Sequence, residues 1–403
     1  MGTAGETIAA VLTPAGPGAI ATVAVHGPEA TRMVGALLRC RRSLNEREIG
    51  EIVIARWREA EGEEVVAART GDMAVEVHCH GGAAASAAIL RSLAEAGARV
   101  VDWKEWLVAR GESNALEIEA TDALAHATTE RTALILLDQQ RGALAREAQA
   151  ALADLRAGDT YGAKERVIAL LSCNTAPYLT EPFEIVLAGP PNSGKSSLLN
   201  ALAGYERAIV HHEPGTTRDV VEAVTAIDGW PCHLRDTAGL RETKDELERE
   251  GIARAHGALD EADLVLICVA ADQGWAEQHD DLRQRYPRAI VVGTKLDLGA
   301  ATSVGMNIAT SAKTLEGIDQ LLAHIGRRLV PSAPAAGEAV AFTYRQFGWL
   351  TRAKLALDRG NVAEGEVALA ALLAGAELPD LPDIAALFAA RRELGRVSSS
   401  PDC

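Results

Sequence analysis

Residues 189–196 read Gly-Pro-Pro-Asn-Ser-Gly-Lys-Ser, and no other stretch restricts the fold as tightly. An apolar run, Phe183-Glu184-Ile185-Val186-Leu187-Ala188, precedes them, and Ser197-Leu198-Leu199-Asn200-Ala201-Leu202 continues as a helix. A glycine-rich turn between strand and helix points unpaired backbone N–H groups at one spot beside the positive end of the helix, a cradle for phosphate. Such a turn belongs at a strand end of a nucleotide-binding α/β sheet. In it, Lys195 reaches the terminal phosphates and the Ser196 hydroxyl ligates Mg²⁺. Asn192, Ser193, Gly194 and Ser197 complete the contacts.

Three further texts follow in order. Asp236-Thr237-Ala238-Gly239 ends an apolar strand, which places Asp236 to hold the metal through water and the Gly239 N–H to face a γ-phosphate. Thr294-Lys295-Leu296-Asp297 follows the run Ala289-Ile290-Val291-Val292-Gly293. A carboxylate there accepts from the guanine N1–H and 2-amine, a pair that adenine lacks, so Asp297 selects the base. Ser311-Ala312-Lys313 supplies backbone contact to the guanine oxygen. Four motifs in order, each at a strand end, make an ATPase or a nucleotide-binding relic the poorer reading. Position 294 usually holds an asparagine that braces the phosphate loop and touches guanine N7. Threonine keeps a hydroxyl with a shorter reach, so guanine selection with reduced affinity is expected. A glutamine directly after Gly239 would orient the attacking water, but Leu240 stands there and cannot. The Asn192 side-chain oxygen lies where a monovalent cation could neutralise charge developing between the β- and γ-phosphates, as an arginine finger would.

The remaining chain sets the context. Its 403 residues suggest two or three domains. A net charge of −16 argues against a broad basic groove for nucleic acid. Six scattered cysteines without a Cys-x-x-Cys pair, and no basic-then-apolar leader, lead to an expectation of reduced thiols in the cytoplasm. No apolar run approaches the length of a membrane span.

The expected fold class is multidomain, α/β and α. Residues 1–102 alternate short β-rich runs with glycine turns, as an α+β domain, with strands at 20–25 and 74–78 and helices at 28–38 and 83–96. Glycine and proline thin out over 103–180, where leucines recur at helical spacing. Residues 181–330 alternate strand and helix as a P-loop G domain, and after a Pro/Ala linker residues 338–395 read as two more helices and a tail. The G domain is therefore expected as an insertion between the two parts of a helical domain.

Order and text together resemble the MnmE (TrmE) family of tRNA-modification GTPases. The matching stretches are Glu6-Thr7-Ile8-Ala9-Ala10, His78-Cys79-His80-Gly81-Gly82, Pro191 through Leu202, Gly215-Thr216-Thr217-Arg218-Asp219 and Asp236-Thr237-Ala238-Gly239-Leu240-Arg241-Glu242. The resemblance implies K⁺-stimulated hydrolysis of GTP to GDP and phosphate through G-domain dimerisation. It also implies a homodimer, a role in modifying the tRNA wobble uridine with an MnmG-like flavoprotein, and a formyl-folate in the N-terminal domain. It assigns Glu248 to positioning water, with Lys195 and Asn192 as further catalytic groups. K⁺ would be held by Asn192 and a loop containing His211, Glu213 and Thr216, with Gly215 also beside the nucleotide, and Thr217 would ligate Mg²⁺ alongside Ser196 and Asp236. The chain departs from that pattern in places. Ala24 stands for an arginine of the folate pocket, Glu112 reverses a basic position, and the chain ends Ser400-Pro401-Asp402-Cys403 in place of Cys-Ile-Gly-Lys. Weak or absent folate binding is expected. The alternative is a diverged regulatory or assembly GTPase that has lost folate binding and one-carbon tRNA chemistry.

Three smaller features have plain readings. His78 and His80 face one side of a strand but lack a third metal ligand at suitable spacing. Cys403 in a Ser/Pro tail is read as incidental, and Arg39-Cys40-Arg41-Arg42 as a solvated helix end.

Overall fold

The computed structural model describes residues 5–14, 18–57, 62–111, 114–172, 175, 177–205, 222–237, 257–299 and 305–379. They fall in two compact units, Met1–Ile118 and Glu119–Cys403. No described helix is long and apolar enough to cross a membrane.

The first unit is built on seven strands: β1 (Ile8–Val11), β2 (Ile20–His26), β3 (Leu38–Arg39), β4 (Ile52–Trp57), β5 (Glu64–Gly71), β6 (Ala74–His80) and β7 (Arg99–Val100). Their order is β3-β4-β5-β6-β2-β1-β7, antiparallel except for the β1–β7 pair. Strand β4 shows the half-buried alternation of such a sheet: Val53, Ala55 and Trp57 point into the core while Ile52 and Ile54 are exposed. Helices α1 (Ala30–Leu37) and α2 (Ala83–Glu95) cover the inner face, where Met33, Val34, Ile89 and Leu93 meet Val23, Val53 and Val77. The buried Trp57 indole donates to Ser92 Oγ at 3.0 Å, so its one polar atom is satisfied. Gly81 turns the chain after β6 where an added Cβ would lie 1.9 Å from the Gly18 carbonyl.

Two sequence readings need correction in this unit. Strands β4 and β5 went unread, and Arg39 does not end a helix: α1 stops at Leu37, and Leu38 and Arg39 pair with Trp57 and Arg56. The compact unit also runs past the compositional change at 102. Asp102 caps α3 (Trp103–Arg110) by accepting from the Glu105 N–H at 2.8 Å, and Trp106 of α3 packs with Ile8, Ala10, Ala24 and Val101 on the other face of the sheet.

Helix α4 (Ala115–Leu124) follows in the chain, and in the second unit α5 (Glu130–Gln140), α6 (Ala143–Arg156) and α7 (Thr160–Ser172) are joined by α11 (Tyr344–Asp358) and α12 (Val362–Ala374), which pack on each other and on α7 and α6 respectively. Buried Gln139 fastens the returning chain, donating to the Glu338 carbonyl at 2.9 Å and accepting from the Val340 N–H at 3.1 Å. Asp358 is bridged at 2.7 Å by both Lys164 on α7 and Lys354 on its own helix.

Between these helices in sequence lies a six-stranded sheet. Its strands are β8 (Phe183–Ala188), β9 (Glu222–Ile227), β10 (Trp230–Asp236), β11 (Leu264–Ala270), β12 (Ile290–Thr294) and β13 (Ile308–Ala309), in the order β13-β12-β11-β8-β10-β9. All pairs are parallel except β9 with β10. All seven residues of β11 are buried, as expected for a strand covered on both faces. Each such Leu, Ile or Val contributes about 1.5–3 kcal/mol, which outweighs any local propensity. Helices α8 (Lys195–Tyr205) and α10 (Ile318–Leu329) pack together on one face, and α9 (Glu277–Arg285) lies along β11 with Leu282 against the other. At the end of the sheet away from the phosphate loop, Thr129 Oγ1 donates to the Gly229 carbonyl at 2.7 Å and Arg131 pairs with Asp228 at 3.2 Å. The same arginine lies 6.0 Å from the Trp230 ring centroid.

Candidate nucleotide site

The phosphate loop springs from the carboxyl end of β8, and its backbone leaves little room for substitution. At Gly189 (φ +146°) a Cβ would sit 2.7 Å from the Cys268 carbonyl. At Gly194 (φ +82°) it would press on Thr294 at 3.1 Å. Asn192 between them takes the left-handed conformation, φ +64°, which asparagine tolerates better than most residues. Lys195 opens α8, is 4% exposed, and donates to the Gly189 and Pro190 carbonyls at 3.1 and 2.9 Å. Ser196 Oγ donates to Asp236 Oδ2 at 2.5 Å, so a hydroxyl and a carboxylate 40 residues apart in sequence converge at the strand ends. Hard oxygen donors in this arrangement suit Mg²⁺. Thr237 is locked behind them, its N–H and Oγ1 both donating to the Leu187 carbonyl at 3.2 and 3.0 Å.

A cavity of about 150 Å³ opens beside the loop, walled by Gly194, Thr294, Asp297, Thr310, Ala312 and Lys313. Asp297 Oδ1 accepts from Ser311 Oγ at 2.8 Å, which orients the carboxylate and leaves its other oxygen for a ligand. Lys295, at φ +58°, ion-pairs with Asp272 at 3.0 Å. Thr294 Oγ1 donates to the Ser193 carbonyl at 2.6 Å and so ties this cavity to the phosphate loop. A larger cavity, about 990 Å³, lies along α5. Its Arg131 and Asp138 are already engaged by Asp228 and the Gly337 N–H, and nothing in it converges as the smaller cavity's groups do.

Beneath the loop lies a support that sequence reasoning missed. Burial pushes the Cys268 thiol up to about 12, with Lys195 opposing and Asp236 adding to the rise. The Cys268 carbonyl, against which Gly189 rests, is paired with buried His279, whose Nε2 lies 3.2 Å away. The Ala276 N–H donates to Nδ1 at 2.9 Å, so Nδ1 is the acceptor and Nε2 carries the proton. The only sequence signal was a histidine three residues into an acidic helix start.

Proteins similar in sequence are numerous. The family described as GTP-binding protein TrmE N-terminus matches residues 7–106, and that described as 50S ribosome-binding GTPase matches residues 184–295. The tRNA modification GTPase MnmE of Parvibaculum lavamentivorans is 34% identical, covering 98% of this chain and 96% of that protein. That of Methylorubrum populi is 36% identical over 88% of this chain and 87% of its own length. The chain belongs to the MnmE family.

Of the MnmE-type residues expected from sequence, Asn192, Ser193, Gly194, Lys195, Ser196, Asp236 and Thr237 gather at the phosphate end. Ser197, Thr294, Lys295, Asp297, Ser311, Ala312 and Lys313 lie at the cavity beside it. His211, Glu213, Gly215, Thr216, Thr217, Ala238, Gly239 and Glu248 lie outside the described residues, as do Glu112 and Cys403. Ala24, where the resemblance led to an expected arginine, is 1% exposed within an apolar cluster. His78 Nδ1 pairs with Thr22 Oγ1 at 2.9 Å and His80 Nδ1 with Glu63, so the two histidines face separate partners.

Proposed function

We propose that this protein binds GTP at the site above, hydrolyses it to GDP and phosphate, and takes part in tRNA wobble-uridine modification. Family membership supports the whole reading. The observation that carries the chemistry is the convergence of Ser196 with Asp236, and of Asp297 with Ser311, around one loop. In this reading the loop N–H groups and Lys195 hold the β- and γ-phosphates. Ser196, with Asp236 and Thr217, would hold Mg²⁺, which neutralises the phosphoryl oxygens. The Lys195 ammonium can exchange its two loop carbonyls for phosphate oxygens without moving the helix it begins. Asp297 admits guanine by accepting from its N1–H and 2-amine.

The proposed residue set extends beyond the described region. Glu248 orients the attacking water in place of a glutamine. Asn192 with His211, Glu213 and Thr216 holds K⁺, and the G domains pair during hydrolysis in a homodimer that works with an MnmG-like flavoprotein. The G domain, residues 181–330, is an insertion between helical parts 103–180 and 338–395. The packing of α11 and α12 on α7 and α6, and the bonds of Gln139 to Glu338 and Val340, support this.

A second reading, a GTPase that has lost folate and one-carbon chemistry, draws on Ala24. The side chains packed with it, Ile8, Ala10, Val101 and Trp106, are apolar, and position 24 itself supplies no cation for a folate carboxylate, although Arg110 lies over the Trp106 ring at 4.6 Å.

GTP turnover in K⁺ against Na⁺ tests the mechanism, with Asn192→Ala and Glu248→Ala alongside. Strong K⁺ stimulation that Asn192→Ala removes, with turnover abolished by Glu248→Ala, is the expected result. Equal rates in both salts would refute the cation site.

A further inference from the structure

Passing round the edge of guanine, a pocket meets the 2-amine and N1–H as donors, then O6 and N7 as acceptors. Asp297 answers the donors, and the turn at Ser311, Ala312 and Lys313 answers O6. The wall that could answer N7 is Thr294, which is 3% exposed and borders the same cavity. A threonine hydroxyl has one proton, and this one is given to the Ser193 carbonyl at 2.6 Å. What Oγ1 can still present is a lone pair, which repels N7. Freeing the proton would leave the Ser193 carbonyl unpaired in a buried loop, a loss the site would feel at once. The β-branch also stiffens χ1, which favours the rotamer that makes this bond. Lys295, the neighbouring cation, is held by Asp272 at 3.0 and 3.2 Å.

We infer that the base pocket reads the N1, 2-amino and O6 positions of guanine and is blind to N7. Thr294 serves as a brace between the two ends of the site and as a specificity residue by what it withholds. The inference rests on the nucleotide reading above and can fail separately from it.

The test is calorimetric titration of the full chain with GDP, with 7-deazaguanosine diphosphate, which replaces only N7 by C–H, and with inosine diphosphate, which lacks only the 2-amine. The expected dissociation constants for GDP and the deaza analogue agree within about twofold, whereas a donor to N7 would separate them by about 2- to 12-fold. Inosine diphosphate should bind more weakly than GDP by about tenfold. A Thr294→Asn variant has two amide protons, one for Ser193 and one for N7, and should make the chain favour GDP over the deaza analogue about fivefold. Thr294→Val should weaken GDP and the deaza analogue in parallel. Deaza binding weaker than GDP binding by more than about twofold in the unaltered chain, or a GDP-to-deaza ratio that shifts in Thr294→Val, would overturn the inference while leaving the site a guanine site. A ratio still near one in Thr294→Asn would overturn the assignment of N7 to residue 294. No GDP binding, or equal binding of GDP and inosine diphosphate, would overturn the nucleotide reading and the inference with it.

Discussion

The two ends of the candidate site are held by different means. The phosphate end is fixed on backbone carbonyls: Gly189 rests on that of Cys268, Lys195 donates to those of Gly189 and Pro190, and Thr237 clasps that of Leu187 with two bonds. The base end is fixed by side chains, an Asp297–Ser311 hydrogen bond and a Lys295–Asp272 ion pair. A backbone cradle serves any triphosphate because every nucleotide presents the same oxygens. Discrimination between bases has to come from groups that differ, and it therefore sits in exchangeable side chains.

Removing the principal cation of the phosphate end should do most damage. Lys195→Ala is expected to lower GTP turnover by about 10²–10³-fold in single-turnover assays, and turnover within threefold of the unaltered chain would break the comparison. At the base end Asp297→Asn should weaken GDP about 10²-fold and improve binding of xanthosine diphosphate, whose 2-oxo group accepts from the new amide. Loss of GDP binding without that gain would mean that the carboxylate only holds the fold. Ser311→Ala removes one bond to Asp297 and should cost about fivefold in GDP affinity by the same titration, with catalysis of bound GTP unchanged. A thiol pushed up to about 12 is almost wholly protonated at pH 8, so maleimide should spare Cys268 in the folded protein and reach half-exposed Cys40 before it. Ready labelling of Cys268 would show that the floor beneath the phosphates opens.

The smallest effect belongs to a region that should leave both ends alone. Lys164, then Lys354, hold the Asp358 carboxyl down at about 2 from 3.8. A depressed carboxyl contributes its stabilisation in full above about pH 4 and loses it as the pH falls toward 2. Asp358→Asn should therefore shift thermal unfolding by no more than a degree or two at pH 7, flatten the acid limb between pH 4 and 2, and leave GDP affinity untouched. A changed GDP affinity would tie the helical layer to the site.

How much of this could be read in the chain differs by region, for a physical reason. The strand, loop and helix around Lys195 are contiguous, and their chemistry needs fixed residue types at fixed spacing, so they were legible. So were α11 and α12, whose capping residues Thr343 and Asn361 stand at their starts. Strand β4 does alternate, but Arg56 and the exposed Ile52 and Ile54 blur its inward face. Strand β5 ends in Arg69-Thr70-Gly71, with a register shift against β6 that breaks the pattern. Helix α3 lies within the stretch 103–180 expected to be helical, but its own bounds and its side were not legible: Trp106 meets Ile8 and Ala24 only after the sheet has formed. His279 was invisible as a support because its partner is a backbone carbonyl, and a carbonyl has no letter in the sequence.

Strand β10 has one feature at each end. Asp236 meets Ser196 at its carboxyl end, and the turn before Trp230 is gripped by Thr129, which caps α5, and by Arg131 of α5 at the other. Seven residues at about 3.3 Å each make a bar roughly 20 Å long. Hydrogen-bonded ladders to β8 and β9 run along both sides, so the bar cannot slip or buckle without breaking several bonds together. Asp236 and the contacts of α5 are thus the two ends of a single strand paired along both sides, so a change at either end has to be accommodated by the whole ladder.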